Sequence, residues 1–364
     1  MGLRAALGDL RNRLVSNPDF RRKAKANALT RGQAVKSARA LFDLTAGFVY
    51  SQTLLACVQT DLFTFLKPGP QTLDAIAAHT GLPAEGAERL ARAAASLDLL
   101  EARGAGRFAL GPLGAPLVDE PGLSAMIAHH RLLYEDLADP LAVLRGETPG
   151  KLAAFWGYGL EDGAAGQSDD YSALMAATLP MVADEIFAAV DMKGHRRLMD
   201  VGGGEGAFIS QVAAQAPDLD LALFDLPPVA ARARARLAEQ GLADRVVVHP
   251  GSFVSDSLPA GADLISLVRI LHDHDDETVQ ILLRAARDAL SPGGTLLIAE
   301  PMAGAKGAQP MGEAYFGFYL MAMGRGRPRS LERILTLVED AGFSQAQTHR
   351  SRMPLIADIV TAKS

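Results

Sequence analysis

Cysteine is nearly absent from this 364-residue chain, which holds only Cys57. One thiol excludes an intramolecular disulfide and any thiolate metal cluster. Within Leu54-Leu-Ala-Cys57-Val58 it reads as a small core residue. Also missing is an uninterrupted apolar run of 18 or more residues, so no membrane-spanning helix is expected. The first residues lack the charged-then-apolar layout of a secretory signal, which makes the cytoplasm the expected compartment. What is present is 49% hydrophobic and 21% charged residues, the make-up of a globular protein long enough for two or three domains.

The net charge of −6 conceals an asymmetry. Residues 1–40 carry ten basic side chains (Arg4, Arg11, Arg13, Arg21, Arg22, Lys23, Lys25, Arg31, Lys36 and Arg39) against Asp9 and Asp19. A basic arm on an acidic body suits an anionic surface, either membrane lipid or nucleic acid. The plainer alternative is a solubilising or subunit-clasping tail.

After the arm, apolar residues from Leu41 to Phe65 recur at helical spacing and predict a helix over Ala38–Leu66, stopped by Pro68-Gly-Pro70. Thr72–Thr80 reads as a helix capped by Thr72, Gly81-Leu-Pro83 as a turn, and Ala84–Leu100 as a second helix. A glycine-tipped hairpin follows over Ala102–Leu110, completing a winged-helix pattern. Its second helix carries Glu85, Glu88, Arg89, Arg92 and Asp98, a balanced set where a DNA reader presents donors. Dimerisation or a lid is the expected role, with no nucleic-acid partner. Residues 120–190 read as mostly helical, and from about residue 195 strands and helices alternate, which predicts a doubly wound α/β sheet.

One stretch of that half carries chemistry. Strand Leu198–Val201 holds Asp200, enters the turn Gly202-Gly-Gly-Glu-Gly206, and opens a helix at Ala207. The next strand, Leu219–Phe224, delivers Asp225, where a carboxylate can accept hydrogen bonds from a ribose diol. Gly202-x-Gly204-x-x-Ala207 also fits a relaxed dinucleotide fingerprint, and an NAD-dependent dehydrogenase is one reading. Asp200 beside the glycines opposes a pyrophosphate and suits an ammonium group. S-adenosylmethionine, with a cationic amino-acid tail and no phosphate, fits better.

Further on, His272 follows strand Leu264–Val268 at the edge where ligands sit, and its imidazole is placed to act as a general base. Glu300 follows the next strand and can orient that ring. The run His272-Asp-His-Asp-Asp-Glu277 points its side chains in different directions and lacks a helical His pair, so no metal is expected. Asp273, His274, Asp275 and Asp276 read as loop residues and the start of a helix.

Asp200-Val-Gly-Gly-Gly-Glu-Gly206, Phe224-Asp-Leu-Pro-Pro-Val229, Gly251-Ser-Phe253, Leu271-His-Asp-His-Asp275, Leu290-Ser-Pro-Gly-Gly294 and Ile298-Ala-Glu-Pro301 occur in that order behind the winged helix. Together they resemble the S-adenosylmethionine-dependent O-methyltransferases of the caffeic acid and polyketide type. Asn17-Pro-Asp-Phe-Arg-Arg, Leu29-Thr-Arg and Ala40–Cys57 resemble, more narrowly, the 1-hydroxycarotenoid O-methyltransferases of purple bacteria, which act on hydroxyneurosporene and demethylspheroidene. The resemblance implies a basic arm over 1–40, a helical winged-helix dimerisation and lid domain over 41–190, and a Rossmann-like class I methyltransferase domain over 191–364. Its sheet is mostly parallel with an antiparallel last strand.

The same resemblance implies site roles. Gly202 and Gly204 line the cofactor backbone, Asp225 takes the ribose hydroxyls, Leu226 packs on adenine and Phe253 borders the ring. Tyr171 and Met175 lie near the methionine part, with Arg269 on the cofactor side. Ser252 stands where the family has Asp, which weakens a hydrogen bond to the adenine amino group. A second family Glu that braces the histidine falls on Leu331, so the brace is reduced to Glu300 unless Glu332 substitutes. Met311–Met323, rich in aromatics and methionine, falls at the acceptor pocket. The implied acceptor is the tertiary hydroxyl of a carotenoid, with a soluble phenol or polyketide as the alternative. A homodimer is implied, cytoplasmic or peripheral to the inner or photosynthetic membrane through its basic arm.

Overall fold

The computed structural model describes residues 2–147, 150–156, 169–305, 309–349, 351–353 and 356–364. It comprises two compact units, 1–119 and 120–364. Residues 120–190, grouped by sequence with the winged helix, belong to the second unit.

In the first unit the basic arm is helical, over Leu3–Ser16 and Pro18–Ala26, and continues into Ala28–Gln59. Asparagines punctuate it. The Asn17 side chain accepts from the Asp19 and Phe20 backbone N–H groups at 2.8 and 3.3 Å, and Asn27 accepts from Leu29 at 2.9 Å. The helix expected over Ala38–Leu66 therefore starts earlier. It is also broken near its end, where Asp61 adopts a left-handed φ of 49° before the short helix Leu62–Leu66. Ala28–Gln59 is long and apolar enough, by length and composition, to cross a membrane, although no unbroken apolar run marks it. Polar Thr, Ser and Gln side chains interrupt the run without lowering the average enough to fail that test.

The winged helix forms as the pattern predicts. Helix Leu73–Thr80 is capped by Thr72, whose hydroxyl accepts from the Ala75 N–H at 3.2 Å. Helix Ala84–Ser96 ends sooner than expected, because Leu100 already begins a strand. Strands β1 (Gln71–Thr72), β2 (Leu100–Arg103) and β3 (Arg107–Leu110) pair in the order β1-β3-β2. Ala87, Ala91 and Ala94 are fully buried; their small side chains let the second helix approach the core of Leu62, Leu66, Ile76 and Phe108.

The second unit is built on seven strands: β4 (Arg197–Val201), β5 (Asp220–Asp225), β6 (Val246–Pro250), β7 (Ala262–Val268), β8 (Leu290–Glu300), β9 (Ser344–His349) and β10 (Asp358–Lys363). Their order is β6-β5-β4-β7-β8-β10-β9. The first five are parallel, while β10 runs antiparallel to both neighbours, as expected of the last strand. Strand β9 was not foreseen. Alternate residues feed two cores: Met199 and Val201 pack with helices Asp276–Ala289 and Leu331–Asp340, whereas Leu198 packs with Ala207–Gln215 and Asp169–Ala189. The strand order reverses beside β4, between β5 and β7, and in such sheets ligands gather outside the carboxyl ends of the strands at that point. The residues singled out by sequence leave those ends: the glycine turn after β4, Asp225 on β5, Ser252 after β6, Arg269 after β7 and Glu300 on β8.

Candidate active site

The glycine turn has the backbone that only its composition allows. Gly202, Gly204 and Gly206 take φ of 70°, 58° and 85°. A Cβ at Gly202 would lie 1.9 Å from Ile270 Cδ1, whereas one at Gly204 would meet nothing within 4 Å. Glu205 anchors the turn to helix Pro227–Glu239 through Arg232 at 2.9 Å and Arg236 at 3.5 Å.

A pocket opens beside this turn, lined by Met175, Asp200, the glycines, Phe208, Arg236 and Arg269. Asp200 is buried; its Oδ1 accepts from Ser266 Oγ at 2.7 Å, while Oδ2 has no hydrogen-bond partner among the described residues. Burial, helped by the charge of Asp225, pushes its carboxyl up to about 7. A buried carboxylate oxygen left unsatisfied favours a cationic ligand and opposes a pyrophosphate. The residues present thus fit the ammonium end of S-adenosylmethionine better than a dinucleotide.

Asp225 accepts from the Gly204 and Leu226 N–H groups at 2.8 and 2.7 Å, and burial raises its carboxyl to about 6. Leu226 is 44% exposed, a solvent-facing apolar residue at the start of a helix. Phe253 packs edge-on to His274 at 5.4 Å. Ser252 bonds locally, donating its N–H to Asp256 Oδ2 at 2.8 Å. Met175, Gly202, Gly204 and Arg269 are therefore brought to one pocket, while Asp225, Leu226, Ser252 and Phe253 follow the adjacent strand ends. The Tyr171 side chain lies outside the described residues. Arg269 holds a strained left-handed φ of 56° and donates to Thr178 Oγ1 at 2.9 Å.

His272 lies on a short 3₁₀ turn, Leu271–Asp273, and is buried. Its Nδ1 is 3.6 Å from Glu300 Oε2, too far for a hydrogen bond, and has no hydrogen-bond partner among the described residues; that carboxylate oxygen accepts from the His272 backbone N–H at 3.1 Å. Nε2 lies 3.2 Å from Asp273 Oδ1. Asp273 is thus not the plain loop residue expected: it is buried against the ring. Glu332 is exposed on the first turn of its helix, so it does not substitute at the histidine. Burial works against the imidazolium, but the Asp273 carboxylate and then Glu300 outweigh it and raise His272 above its ordinary value. Glu300 is itself raised by burial. Asp275 caps the following helix through Thr278, and Asp276 binds Arg329 and Arg333, as their place at a helix start suggests.

From His272 a run of rings leads away. Phe316 lies 6.1 Å from its imidazole, Tyr315 4.9 Å from Phe316, and His130 5.3 Å from Tyr315. His129 Nε2 and the Tyr319 hydroxyl share a buried hydrogen bond of 2.7 Å, and Phe155 lies 4.7 Å from His129. Residues 311–323 are helical, with a wide π turn over Met311–Phe316 before Gly317–Met323. Burial, then His130 and Arg269, pushes His129 down to about 4, and burial lifts the Tyr315 phenol well above its ordinary value. Near neutrality these rings are uncharged, with the Arg269 guanidinium close enough to act on His129 and Tyr315. Aromatics make up only 6% of the chain, yet several gather beside His272, packed with Leu133, Leu152 and Leu320 into one apolar cluster. Sequence reasoning overlooked His129 and His130; two adjacent histidines, in a chain with eight, were the available signal.

Comparison with known proteins agrees with this geometry. Residues 134–344 match the model of the O-methyltransferase domain, and residues 42–120 that of the O-methyltransferase dimerisation domain. The chain is 46% identical to demethylspheroidene O-methyltransferase of Cereibacter sphaeroides, over 96% of this chain and 93% of that one. It is 42% identical to the enzyme of the same name from Rhodobacter capsulatus, over 94% of this chain and 86% of that one. Among solved structures, CalO1, a methyltransferase in calicheamicin biosynthesis crystallised in its SAH-bound form, is 27% identical with a TM-score of 0.75, covering 90% of this chain and 98% of its own. The chain belongs to the S-adenosylmethionine-dependent O-methyltransferase family and carries that family's dimerisation domain.

Proposed function

We propose that this enzyme methylates the tertiary 1-hydroxyl of an acyclic hydroxycarotenoid and works as a homodimer, peripheral to the membrane in which such an acceptor dissolves. The observation that carries the acceptor is the cluster of neutral rings that runs from His129 to Phe316 and reaches His272. A polyene offers only dispersion and π contacts along its length, and neutral imidazoles and phenols supply those without stranding a charge. The names of the two bacterial relatives point the same way.

S-adenosylmethionine supplies a methyl group on a positively charged sulfur. Asp200 would hold its ammonium end, the Gly202 and Gly204 backbone would line the cofactor, and Asp225 would accept from the ribose hydroxyls. Met175 and Arg269, which line the same pocket, and Leu226 and Phe253 at the adjacent strand ends would hold the rest, and Ser252 stands in for the family's carboxylate. Exclusion of water favours transfer, because attack by a neutral hydroxyl spreads a charge that the reactants hold concentrated. Holding the two reactants in line supplies up to about 7–11 kcal/mol of the barrier reduction. A tertiary alcohol keeps its proton until the oxygen is being alkylated, so His272 receives it during or after transfer; the Asp273 and Glu300 charges favour the imidazolium, and Glu300 also fixes the backbone by accepting from the His272 N–H.

Incubating the protein with S-adenosylmethionine and either a 1-hydroxy acyclic carotenoid or a soluble phenol tests this. A product heavier by one methylene is expected from the carotenoid alone; turnover of the phenol alone rejects the carotenoid reading.

A further inference from the structure

Helix Leu3–Ser16 leaves Leu7, Leu10 and Leu14 exposed by 58%, 54% and 43%. At roughly 100° per residue these three share one face. Arg4 and Arg11 flank it on one side and Arg13 on the other, while Asp9 and Asn12 fall on the back. The next helix, Pro18–Ala26, repeats the arrangement on a smaller scale, with exposed Phe20 between Arg21 and Lys23. Beyond it a groove is lined by Lys25, Arg31, Arg39, Val35 and Phe42, again basic side chains bordering apolar ones. The matched dimerisation domain spans residues 42–120, so the two N-terminal helices precede it, while Phe42 of the groove is its first residue.

We infer that the two N-terminal helices form a surface for anionic bilayer lipid, the Leu7-Leu10-Leu14 face entering the acyl boundary and the flanking arginines meeting headgroup phosphates. A helix with leucines on one side and arginines along their border is what an interfacial helix requires. The net positive charge of residues 1–40 supplies attraction to an acidic leaflet. Nucleic acid would use the cations but has no use for an exposed leucine stripe. This rests on the peripheral reading above and deepens it by naming the surface and its partner.

The test is co-sedimentation of the full chain with vesicles of phosphatidylcholine alone or with about 30% phosphatidylserine, at low and high salt. Partitioning is expected to rise at least about tenfold with the anionic lipid and to fall with salt. The variant Leu7→Asp/Leu10→Asp/Leu14→Asp is expected to lose at least about tenfold of that binding, while Arg4→Gln/Arg11→Gln/Arg13→Gln loses chiefly the preference for anionic lipid. Circular dichroism and S-adenosylhomocysteine binding should match the parent in both, since neither changes the cofactor site. Equal binding to neutral and anionic vesicles overturns the inference, as does undiminished binding of the aspartate variant. A duplex that captures the chain more tightly than the anionic vesicles assigns the arm to nucleic acid instead. No acceptor is present in the assay, so its outcome is independent of which molecule is methylated.

Discussion

At Asp200, burial holds the carboxyl near 7 while one of its oxygens lacks a partner. A folded-state value above the ordinary one of 3.8 means that the folded protein binds the extra proton, so ionising this group costs stability as pH rises through the window up to about 7. A cation in the pocket relieves that cost. Calorimetric affinity for S-adenosylhomocysteine, which carries the ammonium, should therefore increase between about pH 6 and 8 and then level off. Asp200→Asn should flatten the profile and weaken binding about 10- to 100-fold; a flat profile in the parent rejects the role. At His272 the acids act in the opposite sense to burial. Removing the Asp273 charge leaves burial less opposed, so Asp273→Asn should move the acidic limb of the kcat profile to lower pH. It should also cut kcat by about tenfold or more with little change in KM. An unmoved limb would mean that the carboxylate and the ring are merely neighbours.

Among the elements, those legible in sequence are the ones whose cause is local. A strand, a glycine turn and a helix start are written in consecutive residues, so β4, Gly202–Gly206 and helix Ala207–Gln215 appear where the pattern puts them. Strand β9, Ser-Gln-Ala-Gln-Thr-His, has no apolar alternation because it lies at the sheet edge and is exposed along nearly its whole length. The turn at Asp61 interrupts an apolar periodicity that continues through it. Asp273 was illegible as a partner because only the tight 3₁₀ turn folds its carboxylate back onto the preceding ring. His129 and Tyr319 meet across 190 residues, a distance no spacing rule spans. The glycine turn also yields a graded prediction. Gly202→Ala combines a left-handed φ, about 1–2 kcal/mol, with collision against Ile270, and should lower the melting temperature and abolish cofactor binding. Gly204→Ala meets only the backbone cost and should melt closer to the parent. Equal melting of the two would show that Ile270 moves aside freely.

For the whole molecule, the dimerisation domain gives exposed apolar surface a purpose. Leu44 and Phe48 are 82% and 69% exposed within residues 42–120, more than a lone subunit keeps in contact with water without consequence. Leu44→Asp/Phe48→Asp should sediment as a monomer where the parent sediments as a dimer; a variant that remains dimeric places the pairing surface elsewhere.

Helix Ala28–Gln59 has 32 residues without a break, about 48 Å of continuous backbone. Its length is fixed by hydrogen bonds and not by a coil's statistics, so it behaves as a strut between the arm and the winged helix. Adding or deleting one residue within it would rotate everything beyond by about a quarter turn, whereas adding seven would lengthen it and nearly restore the angle. The orientation in which the arm is delivered is thus recorded in a residue count, and insertions that a loose linker would absorb become changes of direction here.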